Sequence, residues 1–190
     1  MARAIGATLF DTRLGWCGIA WSAKGVVGVQ LPEADIARTR ERLQRRHGVS
    51  TSIEPPPAVQ RAILGIQQLL EGQAVDLNDT ALDLDGVPAL HQRVYAITRA
   101  VPASATLSYG DIAARLGDPL LARAVGQALA RNPIAIIVPC HRVLAARGRS
   151  GGFSASGGVR TKLRLHGIEG ARAHSGPDLF SRLIAQRHDA

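Results

Sequence analysis

The residues best suited to chemistry are Cys140 and His141, within the run Pro139-Cys140-His141-Arg142. A thiolate is the strong sulfur nucleophile, and the His141 ring and Arg142 guanidinium are the neighbours expected to favour it over a thiol with an ordinary pKa of about 8.5. Attack on carbon is the reaction such a sulfur performs, and a carboxylate from elsewhere in the chain is needed to orient the histidine. Sequence adjacency guarantees none of this, because a free cysteine is usually a small buried hydrophobe and a Cys-His pair need not share a hydrogen bond. The preceding residues shift that balance. Ile134-Ala135-Ile136-Ile137-Val138 is apolar, too short for an independent helix and bounded by Pro133 and Pro139. It should be buried and should hold the cysteine rigidly at its end.

The elements that must position the pair lie upstream. Pro88 to Ala100, Tyr109 to Leu116 and Leu120 to Arg131 are expected helices, with Gly117-Asp118-Pro119 between the last two. A tight helix-turn-helix is the natural reading. Ser108 with Asp111 three residues later forms an acidic variant of the capping box. The second helix of the pair, Ala122-Arg123-Ala124-Val125-Gly126-Gln127-Ala128-Leu129, is small-sided on most faces. It suits a recognition helix in a DNA groove, with Arg123 long enough to enter the base stack, and it equally suits an internal helix packed at close range.

The first third reads as an antiparallel meander, Ala4 to Phe10, Gly15 to Trp21 and Gly25 to Leu31, with turns at 11–13 and 22–24. Pro32 to Gly48 follows as a polar helix whose buried stripe is marked by Ile36 and Leu43. Its Arg38, Arg40, Arg42, Arg45 and Arg46 read as a solvated face. Pro55-Pro56-Pro57 sets up a helix over Ala58 to Glu71, with Val59, Ile63, Ile66 and Leu70 at helical spacing. Val75 to Gly86 reads as a strand and linker, and the domain boundary falls near Gly86.

Length and composition agree with a folded intracellular protein. The chain has 190 residues, 46% of them hydrophobic, enough for a sizeable core. It has 23 Lys and Arg against 15 Asp and Glu, a net charge of +8 that favours a polyanionic partner, nucleic acid first. The arginine bias suits phosphate recognition, and GC-rich coding produces the same bias. Two cysteines exclude a disulfide scaffold and fit a reducing compartment, and no stretch approaches the roughly 18 apolar residues of a membrane span. A cytoplasmic protein with no membrane association is expected.

Pro139-Cys140-His141-Arg142-Val143 resembles the active-site motif of the methylated-DNA–protein-cysteine methyltransferases, the O6-alkylguanine-DNA alkyltransferases. Ser108-Tyr109-Gly110 with Ile112-Ala113, then Ala122-Arg123-Ala124-Val125-Gly126, then Asn132-Pro133, match that family's helix-turn-helix and asparagine hinge in order and spacing. Gly151-Gly152-Phe153-Ser154, Lys162-Leu163 and Glu169-Gly170 resemble its substrate-pocket loop and final helix. The likeness runs from about Leu90 to Gly170.

The resemblance implies an α/β (α+β) fold: a small amino-terminal antiparallel sheet-and-helix domain of RNase H-like type over 1–85, a winged-helix-like DNA-binding and alkyltransferase domain over 86–170, and a tail over 171–190. It implies repair of double-stranded DNA by direct reversal. An O6-alkylguanine, and by extension O4-alkylthymine, is flipped from the duplex and its alkyl group moves to Cys140. Arg123 would fill the gap, Tyr109 would sit near the 3′ phosphate, Asn132 would brace the turn, and Ser154, the Val143 backbone and Phe153 would bind the base. His141 would deprotonate the thiol through a water, oriented by Glu169, while Tyr109 or a water protonates the leaving guanine. The product is a thioether with no leaving group, so each molecule acts once.

No cofactor is implied, and the solitary Cys17 argues against the zinc site some relatives carry. A monomer in solution is expected, with cooperative loading on DNA left open. The sequence departs from the family pattern at Leu90 and Tyr95, which replace Phe and Trp, at Pro102-Ala103-Ser104, at Phe153, which replaces Tyr, in the longer Ser154-Ala155-Ser156-Gly157-Gly158 loop, and at Leu163-Arg164-Leu165. These bear on pocket shape, and the loop leaves open whether Ser154 or Ser156 faces the base. Arg147, Arg149, Arg160 and Arg172 would contact phosphates or lie on a solvated face, and Leu179 to Gln186 reads as a short amphipathic helix. The rival readings are a damage sensor, against which Cys140 counts, and a cysteine hydrolase, which needs an oxyanion hole that the sequence does not display.

Overall fold

A computed structural model describes residues 2–50 and 54–170. Residues 171–190, with Arg172 and the expected helix over Leu179 to Gln186, lie outside the described residues, as does the side chain of Arg147. The first unit is the expected meander: β1 (Gly6–Phe10), β2 (Cys17–Trp21) and β3 (Val26–Gln30), antiparallel in the order β1-β2-β3. Phe10 pairs with Cys17 and Gly6 with Trp21.

Helix α1 (Ile36–His47) lies on this sheet. Two strand glycines permit the close approach, since a Cβ on Gly18 would sit 2.7 Å from a Leu43 methyl and one on Gly28 would sit 2.1 Å from the His47 ring. The Asp35 carboxylate caps the helix by accepting from Arg38 N–H at 2.7 Å, and Gly48 in the left-handed region ends it. The expected stripe is half right. Leu43 is fully buried, but Ile36 is exposed and Thr39 takes the second inward position. Ile36 occupies the first turn, whereas Thr39 and Leu43 stack one turn apart over the sheet, with the Thr39 hydroxyl bonded to Asp35 O and Glu33 N at 3.0 Å each.

Helix α2 (Pro57–Leu70) buries Val59, Ala62, Ile66, Leu69 and Leu70. The strand expected within 75–86 is absent, because the free edge of β3 is divided between two visitors. Leu82 makes one parallel bridge to Val26, and Pro133-Ile134 makes another to Val29, with Val29 N–H on Pro133 O at 2.9 Å. That second bridge ties the amino-terminal sheet to the chain leading into Cys140.

The rest is helical: α3 (Ala89–Arg99), the two-residue β4 (Leu107–Ser108), α4 (Tyr109–Arg115), α5 (Ala122–Ala130), β5 (Val143–Leu144) and α6 (Val159–Glu169). The capping box forms as expected, with Asp111 N–H on Ser108 Oγ at 3.1 Å and Ser108 N–H on the Asp111 carboxylate at 2.7 Å. A single 3-10 turn, Pro119–Leu121, leads into α5, which therefore begins at Ala122 and not at Leu120. Tyr95, fully buried, joins α3 to α5 by donating to Ala128 O at 2.9 Å. The parallel pair β4–β5 was not anticipated; it fastens the start of α4 directly to the residues after Arg142. One core runs continuously from the sheet through α2 and α3 to Ile134, Ile136, Ile137 and Val138, the burial expected of that apolar stretch.

Candidate active site

Asn132 organises the approach to Cys140. Its amide Nδ2 donates to Val138 O at 2.8 Å and its Oδ1 accepts from Ile134 N–H at 3.0 Å, closing residues 132–138 into a compact loop. Inside the loop Ile136 adopts φ +70°, a left-handed conformation costing a β-branched residue about 1–3 kcal/mol. The two Asn132 bonds and complete burial of the isoleucine hold it there. A 3-10 turn, Cys140–Arg142, follows and aims consecutive side chains apart.

Cys140 is half-buried in the wall of a cavity of about 370 Å³ that Asn132, Ala135, Phe153, Ser154 and Ala155 also line. This is within the size range of small-molecule sites. Burial pushes the Cys140 thiol up, opposed by a hydrogen bond with Asn132, by the positive charge of Lys162 and by backbone amides. Burial thus outweighs the pull towards thiolate expected from the neighbours, and Cys140 rests as a thiol that needs a base. Arg142 does not serve it, because its guanidinium is spent on Val101 O and on the Glu169 carboxylate at 3.0 and 2.8 Å.

The carboxylate needed by the histidine is Glu169, at the end of α6. His141 Nε2 meets Glu169 Oε1 at 2.9 Å, with both side chains about 1% exposed. Burial alone would raise the Glu169 carboxyl, but hydrogen bonds and charge from His141 and Arg142 overcome it and bring it down to about 2. An ionised Glu169 only accepts, so Nε2 carries the proton and Nδ1 the lone pair. Burial lowers the His141 pKa, against the pull of Glu169, so the ring is neutral near pH 7. Its Nδ1 is buried without a hydrogen-bond partner among the described residues. A neutral, oriented imidazole with a free lone pair is the form that accepts a proton.

Two further groups complete the cluster. Lys162 is fully buried, donating to Val143 O at 2.5 Å and to Ser150 O, and burial brings its pKa down to about 8 against the opposing influence of Cys140. The His166 ring stands edge-on to His141 at 6.1 Å, its pKa lowered to about 4 by burial and then by neighbouring His141. Sequence reasoning gave neither a role. A signal existed, since Lys162, Leu165, His166 and Glu169 recur at helical spacing and form one inward stripe of α6.

Cys140, Asn132, Phe153 and Ser154 share the cavity, whereas Ser156 does not line it and its carbonyl accepts from Thr161 Oγ1 at 2.6 Å. Tyr109 is half-buried between α5 and the 148–152 loop, where a Cβ on Gly151 would stand 2.9 Å from its hydroxyl. Burial, then the nearby Cys140, raises its pKa. The Val143 side chain is buried and its carbonyl, holding Lys162, retains a second lone pair. Arg123 stands apart, exposed on α5. Arg45 and Arg46 are exposed and Arg42 partly so, as expected, and all three also line the same cavity, with Arg46 donating to Asn132 O at 3.3 Å. Nothing in their helical pattern signals this, because the contact exists only once the sheet docks on Pro133. No group of metal-binding side chains occurs among the described residues, and no helix among them is long and apolar enough to cross a membrane.

A profile of the 6-O-methylguanine DNA methyltransferase DNA-binding domain matches residues 89–171. The methylated-DNA–protein-cysteine methyltransferase of Methanothermobacter thermautotrophicus is 33% identical over 153 residues, which is 80% of this chain and 78% of that protein. The crystal structure of Mycobacterium tuberculosis OGT in complex with DNA superposes with a TM-score of 0.70 at 31% identity, over 87% of this chain and 92% of the other. The O6-methylguanine-DNA methyltransferase of Pyrococcus kodakaraensis gives 0.66 at 29% identity, over 87% and 99%.

Proposed function

This chain belongs to the methylated-DNA–protein-cysteine methyltransferases, and from that premise we propose that it repairs duplex DNA by moving the alkyl group of a flipped O6-alkylguanine, and of O4-alkylthymine, onto Cys140, once per molecule. The observation that carries the reading is the pairing of a thiol open to a cavity with a neutral His141 whose lone-pair nitrogen is unengaged.

The division of labour follows from the chemistry. Residues 86–170 bind DNA and react, while 1–85 brace the 132–140 loop through the Val29–Pro133 bond. Exposed Arg123, on a helix small enough to enter a groove, takes the place of the extruded base. Tyr109 rotates the nucleotide at its phosphate and, with a raised pKa, keeps a proton to give to the departing guanine. Phe153 and Ser154 hold the base, assisted by the free lone pair of Val143 O, and Asn132 fixes the thiol relative to it. His141 takes the thiol proton through a water, the cation formed is stabilised by Glu169, and sulfur displaces guanine from the alkyl carbon. A buried thiol is a virtue here, since ionisation is delayed until a substrate fills the cavity. The resulting thioether offers no leaving group, so the site is spent, and the bulkier sulfur strains the packed loop by ~1–3 kcal/mol. Such a protein works on the nucleoid, as a monomer that needs no cofactor.

The test is intact mass after incubation with a duplex containing one O6-methylguanine. One methyl group per molecule, located on Cys140 and absent in Cys140→Ala, is expected. Tight lesion binding with no mass gain would make the protein a damage sensor.

A further inference from the structure

The cavity holding the Cys140 thiol has a second wall that methyl transfer does not use. Arg42, Arg45 and Arg46 of α1 line it, and none of the described residues lining the cavity is acidic. The Glu33 carboxylate holds Arg42 at 3.2 Å and accepts from the Gln30 amide at 3.0 Å, so one of the three positive charges is offset. Arg46 is anchored to the Asn132 carbonyl, the residue that fixes the thiol, and Arg45 forms no ion pair among the described residues. Two guanidinium groups thus face a cavity whose floor is the reacting sulfur. A methyl substituent gains nothing from them, and a purely apolar one would have to displace their hydration. A carboxylate matches the guanidinium fork in charge and geometry.

We propose that this wall is a subsite for carboxylate-bearing O6 substituents, with the carboxymethyl group as the smallest such substrate. The inference rests on Cys140 being the alkyl acceptor. In the reaction the Cys140 sulfur forms a bond to the methylene carbon as that carbon's bond to O6 breaks. The thiol proton passes to His141, the guanine leaves with the electron pair and is protonated, and the carboxylate is carried unchanged onto the sulfur. The arginines bind the carboxylate and balance its charge as it approaches a sulfur that is itself becoming negative, a repulsion that would otherwise slow this adduct.

The test compares duplexes carrying O6-carboxymethylguanine and O6-carbamoylmethylguanine, equal in heavy atoms and different in charge, with an O6-methylguanine duplex alongside. Second-order transfer rates are measured by intact mass for the wild type, Arg45→Met and Arg45→Glu. The carboxymethyl-to-carbamoylmethyl rate ratio should fall about tenfold in Arg45→Met and further in Arg45→Glu, as expected on losing a charge-assisted contact. Intrinsic reactivity of the two adducts cancels in that comparison of ratios. An equal slowing on all three duplexes would mean that Arg45 serves the DNA backbone, and ratios that do not move would mean that it serves nothing in the pocket; either overturns the subsite. Failure of the wild type on the methyl duplex would instead sink the transferase reading itself. Near-ultraviolet circular dichroism and thermal midpoints of the two variants establish that the fold is intact.

Discussion

The two cysteines lie in the two halves of the molecule and show what burial alone does to sulfur. Cys17, in the sheet, is completely buried, and desolvation pushes its thiol up to about 12 despite a hydrogen bond with Thr12. The neighbouring charge is that of Asp11, which raises it further. Cys140 is also raised by burial, but Asn132 and Lys162 oppose the rise, a cavity opens on the sulfur, and a neutral histidine follows it in the chain. On the proposed chemistry, low pKa does not separate the reacting thiol from the inert one; access, a poised proton acceptor and a nearby cation do.

The largest effect expected from breaking that contrast is in Cys140→Ala, which should abolish alkyl uptake entirely while leaving lesion binding measurable by fluorescence anisotropy. Next comes Glu169→Gln, which removes the negative charge that orients His141 and pairs Arg142. Transfer should slow by about 10²–10³-fold, and leaving the Arg142 cation buried and unpaired should cost ~3–5 kcal/mol in urea unfolding. A wild-type rate in Glu169→Gln would reduce the carboxylate to a structural brace and remove the proton acceptor from the contrast.

The same residues set the response to acid. His166 titrates at 6.5 when unfolded and about 4 when folded, so the unfolded state gains a proton first and stability falls as pH drops from 6.5 towards 4. Glu169 is depressed from 4.5 to about 2, so its contribution is present above pH 4.5 and is lost as pH falls towards 2. Each corresponds to at most ~3 kcal/mol. Thermal midpoints measured from pH 7 to 3 should therefore fall in two stages; His47, which burial also lowers to about 4, shares the first, so His166→Gln should make that stage shallower without removing it. A single fall below pH 4.5 would place the imidazole of His166 in contact with solvent.

Arg123→Ala tests the exposed face against the buried one. Stability should stay within about 0.5 kcal/mol, while transfer from duplex DNA slows about tenfold and transfer from the free base O6-benzylguanine is unaffected. Equal slowing on both substrates would place Arg123 in the chemistry and not in the helix.

How much of this was readable from sequence depended on the range of the interaction. The meander, the helix pair and the Ser108–Asp111 box are short-range patterns, and they form close to where they were expected. Cys140 and His141 stood out by their own chemistry at the end of an apolar run, whereas Asn132 and Glu169 came from family resemblance, and nothing local in the chain reveals that Glu169, 28 residues away, reaches His141. Arg142 was assigned to the thiol because it is adjacent, yet consecutive residues of a 3-10 turn point to different sides, and its partner is the carboxylate. The α1 arginines are the exposed face they were read as, Arg42 being partly covered, but helical periodicity reports which residues meet their own sheet and not that Arg46 also meets Asn132, 86 residues on. Ile36 erred similarly: its hydrophobicity was legible, its place in the first turn beyond the packed stripe was not.

The smallest effect belongs to the other sulfur. Cys17→Ala removes one fully buried atom at the start of β2 and a 3.6 Å contact with the Thr12 hydroxyl, whose other bonds, to Gly15 O at 2.7 Å and from Leu14 N–H at 3.2 Å, survive. The cost should be about 1 kcal/mol, at the lower end of core truncations because the cavity left is a single sulfur in volume. Uptake should remain one alkyl group per molecule at the wild-type rate. The same variant gives the cleaner reading of thiol chemistry, since an iodoacetamide-type probe on the folded wild type should label one cysteine, and on Cys17→Ala should still label one. Loss of a label in Cys17→Ala would mean that the sheet thiol is the accessible one, and the contrast between the two halves would have to be drawn the other way round.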